Sequence, residues 1–164
     1  MDLSRLSPAR VLFTVVASAA LLFSLLFFPW YHLATTGIAP RTPDQWICGV
    51  GDTSCTGFET FPILRWLLIA GALTPLVLAW ILVRGHRLSW PPGEATMVVG
   101  FTAAILIFYN GVLDKPGSGE QEVGVGLDWG YWVALAGAIG IAVAGYLRSL
   151  EMGARQGRKA PGTV

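Results

Sequence analysis

The chain has 164 residues, of which 54% are hydrophobic and only 13% are charged. Because a soluble domain usually carries about 25% charged residues, this composition argues against one, and the length leaves room for a single domain. The formal net charge of +1 gives no electrostatic reason to expect a nucleic-acid partner.

Four long apolar runs predict an all-α integral membrane protein. Each run holds about 18 apolar or neutral residues, which span about 27 Å as a helix and nearly cross a hydrocarbon core about 30 Å thick. In lipid every backbone N–H and C=O must be satisfied within its own segment, which forces such runs into helices. The transmembrane helices are predicted at about residues 11–29, 61–83, 95–113 and 130–148.

The loops between these helices differ in length and character. The first outer loop, 31–60, is long, whereas the second, 114–128, is shorter, Gly-rich and acidic. The loop between helices two and three ends in Pro92 and Glu94, which suit the first turn of a helix. We therefore expect one four-helix domain over residues 1–151, followed by a flexible basic tail at 152–164.

The distribution of basic residues predicts the orientation. Two Arg residues precede helix one, two lie between helices two and three, and four basic residues follow helix four, against three on the other side. The positive-inside rule places the richer side in the cytoplasm. We expect an up-down antiparallel bundle in the plasma (inner) membrane, with both termini cytoplasmic. The preference for Arg over Lys suggests a bacterial source, by association only.

Cys48 and Cys55 are the only cysteines, and both fall in the first outer loop. That loop lies in an oxidising compartment, so we predict a structural disulfide. The alternative is a redox-active pair, which would need a second cysteine pair and lacks the CxxC spacing that lowers a thiol pKa. A zinc site is not expected, because only His32 is nearby as a third ligand.

The chain offers few groups for catalysis. The two histidines, His32 and His86, are placed on opposite sides of the membrane and cannot share a metal or haem. There is no nucleotide-binding loop, no Ser/His/Asp set, no HExxH motif and no paired catalytic carboxylates. We therefore expect no enzyme activity, no catalytic residue, no metal and no cofactor.

Three polar or helix-breaking residues stand out inside the predicted helices. Arg65 is the only ionisable one, and we expect it to reach lipid phosphates or to pair with an outer acid such as Glu59 or Asp128. Asn110 predicts an interhelical hydrogen bond. Pro75 predicts a kink in helix two, which is either static or a hinge. The candidate partner or ligand contacts are Arg65, Asn110 and, in the outer loop, Trp46.

Small residues recur along helix four and predict close helix packing. One stripe consists of Ala136, Gly140 and Ala144, with Gly137 on the same side, and a second consists of Ala134, Ala138 and Ala142. Two stripes imply either burial at the centre of the bundle or a second interface with a partner. The facing candidates on the other helices are Ala17, Ser18, Ser24, Ala70, Gly71, Gly100 and Ala104.

The layout is similar to that of claudin-like tetraspan proteins. Trp30 follows helix one, Trp46, Cys48 and Cys55 lie in the longer outer loop, and Arg65 opens helix two. The Gly-Leu-Trp triplet of the claudin signature is replaced by Gln-Trp-Ile at residues 45–47, and the loop is short for the claudin sheet. The resemblance implies a shared topology and transfers no functional residue.

These observations favour an accessory or scaffold subunit of a cell-envelope complex, whose outer loop presents Trp46 and Phe58 to a partner. The expected partners are the lipid bilayer and another membrane protein or a second copy of the chain. A transporter or channel component is the alternative, and it requires a water-filled cavity leading past Arg65 and Asn110 to Pro75. A thiol-redox enzyme would require the cysteine pair to be exposed beside an apolar groove.

Overall fold

The structure is a computed structural model of the chain, and it describes residues 8–33, 48, 52–84, 91–116 and 125–156. Within them lie four long helices: α1 (Pro8–Phe27), α3 (Leu64–Val83), α4 (Pro92–Phe108) and α5 (Trp129–Gln156). A π-helical segment, Tyr109–Leu113, extends α4, and a short helix, α2 (Gly57–Thr60), precedes α3. With the π-helical segment counted as part of α4, all four long helices are long and apolar enough to span a membrane, as the sequence predicted.

The helix boundaries follow local chemistry. Helix α4 begins with Pro92 and has Glu94 in its first turn, as predicted for this loop end. The second long helix was predicted from residue 61, but α3 begins at Leu64. Residues 61–63 form a turn instead, because Phe61 precedes Pro62 and is extended, with φ −117° and ψ 104°. The short α2 before this turn begins with a capping box: the Thr56 hydroxyl accepts from Glu59 N, and the Glu59 carboxylate accepts from Thr56 N.

A small antiparallel sheet accompanies the helices, and the prediction of an all-α protein omitted it. Strands β1 (Pro29–Leu33), β2 (Ser54–Thr56) and β3 (Val125–Leu127) are arranged in the order β2-β1-β3. Tyr31 of β1 is paired with Cys55 on one side and with Leu127 on the other. These strands have three to five residues, which is too short for an alternating pattern to stand out in the sequence.

Helix α5 packs against both α1 and α4 through its small residues. A Cβ atom at Gly137 would lie 2.9 Å from Leu21 N, and one at Gly100 of α4 would collide with the backbone of Ala142. Gly140 contacts Ala17, whereas Gly130 contacts Phe28 and Pro29. The residue numbers on α1 and α5 therefore run in opposite directions along the interface, so these two helices are antiparallel.

Candidate functional site

The three strands, α2 and Cys48 form a unit at the end of the bundle where α3 and α5 begin. We call it the disulfide cap (residues 29–33, 48, 52–60 and 125–128). Trp30 is its central anchor and is fully buried. The indole Nε1 donates to the carbonyl and hydroxyl oxygens of Ser24 at 3.0 and 3.1 Å, and the ring packs edge-on against Tyr131 and Phe61. This residue therefore fastens the cap to α1 and α5.

Two buried tyrosines, Tyr31 of the cap and Tyr131 of α5, bind the C-terminal end of α4. The Tyr31 hydroxyl donates to the carbonyl of Asn110 at 3.3 Å, and the Tyr131 hydroxyl donates to the carbonyl of Ile107 at 3.2 Å. Burial and, to a smaller extent, the neighbouring Tyr131 raise the pKa of Tyr31. Gly111 leaves room for the Tyr131 ring, because a Cβ atom there would overlap it.

Cys48 and Cys55 lie at disulfide-bonding distance, with their Cα atoms 4.9 Å apart. Cys55 belongs to β2 and is only 2% exposed, whereas Cys48 is half-buried. The Thr60 hydroxyl lies 3.3 Å from Cys55 Sγ and donates to Thr56 O at 2.9 Å. The pair therefore connects the first loop to the strand that leads directly into α2.

Arg65 contacts two aromatic rings beside the cap. Its guanidinium carbon is 4.7 Å from the centroid of Phe58 and 5.6 Å from that of Trp66, and Nη1 donates to Phe58 O at 3.3 Å. Such cation–π contacts stabilise a partly desolvated guanidinium. The acids proposed as its partners are engaged elsewhere: Glu59 accepts from Thr56, and Asp128 accepts from Trp129 N at 2.7 Å.

The other polar residues singled out in the sequence have local partners. Asn110 Nδ2 donates to Leu106 O, 2.8 Å away in the same helix, so the side-chain hydrogen bond found within the described residues is intrahelical. Helix α3 is continuous through the buried Pro75, and Thr74 Oγ1 donates to Ala70 O at 2.7 Å. The kink stays a prediction, and Trp46 lies outside the described residues.

The predicted packing residues fall on different sides of the helices. Gly137 and Gly140 face α1, and a Cβ atom added at Gly71 would lie 3.6 Å from Val99 Cγ1 of α4. Ala144 is buried, whereas Ala136 is on the exposed side of α5. In the second predicted stripe, which also lies on α5, Ala134 and Ala138 are fully buried.

An apolar groove of about 590 Å³ runs along the surface between α4 and α5, and no polar surface lines it. Phe101, Phe108 and Tyr109 form one wall, and Ile139 and Tyr146 lie on the other. Neither the cysteines nor Arg65, Asn110 or Pro75 contribute to it. The groove therefore does not connect the polar residues that a transport path would use.

Sequence reasoning missed one polar pair in the cap. His32 Nδ1 of β1 lies 3.7 Å from Asp128 Oδ2, which precedes α5. Because the two residues are 96 positions apart, only the pairing of β1 with β3 brings them together. Among the described residues, no group of three or more His, Cys, Asp or Glu side chains could hold a metal ion.

The fold and site define a bundle of four helices of membrane-spanning length, with a small cysteine-linked sheet fixed to one end. Comparison with known protein families, curated proteins and solved structures finds no match to this chain.

Proposed function

We propose that this chain is a four-pass protein of the plasma membrane and serves as an accessory or scaffold subunit of a cell-envelope complex. Both termini lie in the cytoplasm, and the disulfide cap is the outer surface that a partner contacts. The observation that carries this proposal is the fixed attachment of the cap by the buried Trp30, Tyr31 and Tyr131. A preformed surface binds a partner without the entropy cost of ordering a loop.

Charge supports this orientation. The exposed side chains at the cap end include the acids Asp52, Glu59 and Asp114, whereas the described basic residue at the far end of α3 is Arg84. Basic residues at helix ends concentrate on the cytoplasmic side of membrane proteins. The distribution of basic residues therefore supports assigning the cap end to the outside of the membrane.

The two alternatives receive less support from the geometry. The groove between α4 and α5 is apolar and bypasses Arg65 and Asn110, so it does not resemble a path for a polar substrate. Thiol exchange requires access to a sulfur atom, and of the two cysteines Cys55 is almost fully buried whereas Cys48 is half-buried, so a redox reaction would have to begin at Cys48.

Site-specific photo-cross-linking in cells tests the proposal. A photoreactive residue replaces Asp52, which is exposed on the cap, or Val77, which is 52% exposed in the middle of α3. We expect the Asp52 probe to join this chain to one recurring envelope protein, identified by mass spectrometry. The Val77 probe is the matched control, and we expect it to react with lipid.

The same experiment in a Cys48→Ser, Cys55→Ser background examines whether the cap must be intact. We expect the adduct from position 52 to decrease strongly, because the loop that carries the probe is no longer fixed. If a correctly inserted protein gave no protein adduct from the cap, the scaffold function would be contradicted.

A further inference from the structure

The contacts of Arg65 leave most of its hydrogen-bonding capacity unused. A guanidinium has five N–H donors, and the hydrogen bond found within the described residues is the one from Nη1 to Phe58 O. The Nε atom is buried and has no acceptor in the part of the chain that the structure describes. The rings of Phe58 and Trp66 hold the group in place, and we call these three residues the Arg65 cradle.

The described part of the chain gives Arg65 no negative partner. The nearest acid in sequence, Glu59, accepts both the backbone N–H and the hydroxyl of Thr56, at 2.9 and 3.0 Å. Asp128 caps α5 and lies beside His32. A partly buried charge without a counter-charge is costly, so the cradle is suited to an anion supplied from outside the chain.

The surroundings of the cradle are apolar and exposed. Ile63 is 75% exposed, Trp66 59% and Leu67 55%, and all three lie within one turn of the start of α3. This turn is the end of a segment long enough to span a membrane. Exposed Trp residues at such positions lie at the level of the lipid headgroups, where the phosphates are.

We propose that the Arg65 cradle binds the phosphate group of an outer-leaflet phospholipid, with the acyl chains lying along Ile63, Trp66 and Leu67. A guanidinium matches a phosphate because two parallel N–H groups donate to two oxygens. The exposed apolar side chains favour a lipid over the carboxylate of a soluble partner, which would leave them in contact with water. This site rests on the membrane orientation proposed above.

Native mass spectrometry of the full chain in mild detergent tests the site. The protein is titrated with dioleoyl phosphatidylglycerol and, separately, with dioleoylglycerol, which has the same chains and no phosphate. We expect the wild type to prefer the phospholipid and Arg65→Gln to lose that preference by about tenfold, corresponding to about 1.4 kcal/mol. Arg65→Lys is expected to retain part of it, because Lys keeps the charge but not the paired donors.

Arg84→Gln is the matched control, since Arg84 lies 4.2 Å over the ring of Trp80 at the other end of α3. We expect this variant to keep the wild-type preference. An equal loss in both variants would show a general charge effect and would overturn the site. An excess of sodium phosphate tests whether the site binds free phosphate and not a lipid. If phosphate alone displaced the phospholipid, the lipid assignment would be wrong.

The outcomes separate this site from the proposed function. If Arg65→Gln left lipid preference unchanged but abolished the cross-link from position 52, Arg65 would contact a protein partner and the lipid site would be overturned. If instead the lipid preference depended on Arg65 while no protein cross-linked to the cap, the lipid site would stand without the scaffold function.

Discussion

Gly100 and Gly71 occupy helix positions that differ in the space around them. At Gly100 an added Cβ atom would collide with the backbone of Ala142, whereas at Gly71 the nearest atom would be a methyl of Val99, 3.6 Å away. The first is a point where two helix backbones touch, and neither can move without separating α4 from α5. The second is an ordinary van der Waals contact with a side chain.

We therefore predict that Gly100→Ala destabilises the protein and that Gly71→Ala does not. Overpacking of a close contact costs about 1–3 kcal/mol, and we expect at least this for Gly100→Ala because the obstacle is backbone. The free energy of unfolding in mixed detergent micelles, measured by titration with dodecyl sulfate, provides the comparison. Equal stability of the two variants would contradict the α4–α5 contact.

The sequence could indicate that small residues mediate packing, but it could not assign each one to a neighbour. Residues 136, 137, 140 and 144 all matched the pattern, yet Ala136 is exposed and Gly137 contacts α1. The reason is physical: every turn of α5 carries small residues, so their spacing alone does not identify the buried face of this helix. The partners of Arg65 were also not predictable, because Phe58 and Trp66 lie on different helices, α2 and α3, which the turn between them brings into contact.

At the level of elements, the π-helical segment Tyr109–Leu113 is held by tyrosines from β1 and α5. Such segments leave the usual helical hydrogen bonding incomplete, and the hydroxyls of Tyr31 and Tyr131 donate to carbonyls of Asn110 and Ile107 in and next to it. The segment and the cap therefore stabilise each other.

Removing one of these donors should weaken the end of α4. We predict that Tyr131→Phe lowers the free energy of unfolding by about 1 kcal/mol, because the buried carbonyl of Ile107 loses a partner. Tyr109→Phe is the control, since that ring is 50% exposed, and we expect a change below about 0.5 kcal/mol. The hydrogen-exchange rates of residues 109–113 should rise in Tyr131→Phe and not in Tyr109→Phe. Unchanged exchange in Tyr131→Phe would contradict the role of the Tyr131 hydroxyl in stabilising the π-helical segment.

The cysteine pair also stabilises the cap. Its two residues are seven positions apart, and closing a loop of this size removes chain entropy worth about 2.5 kcal/mol from the unfolded state. We predict that the Cys48→Ser, Cys55→Ser variant loses about this much stability. A thiol reductant should destabilise the wild type by a similar amount and leave the variant unchanged. A wild type that is insensitive to reductant under unfolding conditions would exclude a structural disulfide.

The elements differed in how far sequence could predict them. Long apolar runs have one physical solution in lipid, so the four helices followed from length and composition. The strands did not, because Pro29–Leu33 has only five residues and pairs with segments 20 and more residues away along the chain. The later start of α3 depended on the extended Phe61 before Pro62, which the predicted start at residue 61 did not take into account.

At the level of the whole molecule, the two ends of the bundle differ in the side chains that they carry. One end carries the disulfide cap, the Arg65 cradle and exposed acids, and the opposite end of α3 carries Arg84 over Trp80. The bundle between them is packed on small residues and buried apolar side chains. This asymmetry is the basis for proposing an oriented scaffold that offers a protein-binding surface on one side of the membrane.

The central claim is therefore that the cap end of the bundle faces outward and the Arg84 end faces the cytoplasm. The accessibility of introduced cysteines in intact cells measures this orientation most directly. Asp114→Cys and Arg84→Cys each place a single free thiol at an exposed position at opposite ends of the bundle, and the bonded Cys48 and Cys55 of the parent chain give the background. We predict that a membrane-impermeant maleimide labels position 114 in intact cells and position 84 only after lysis. Labelling of position 84 from outside, with position 114 protected until lysis, would contradict the account.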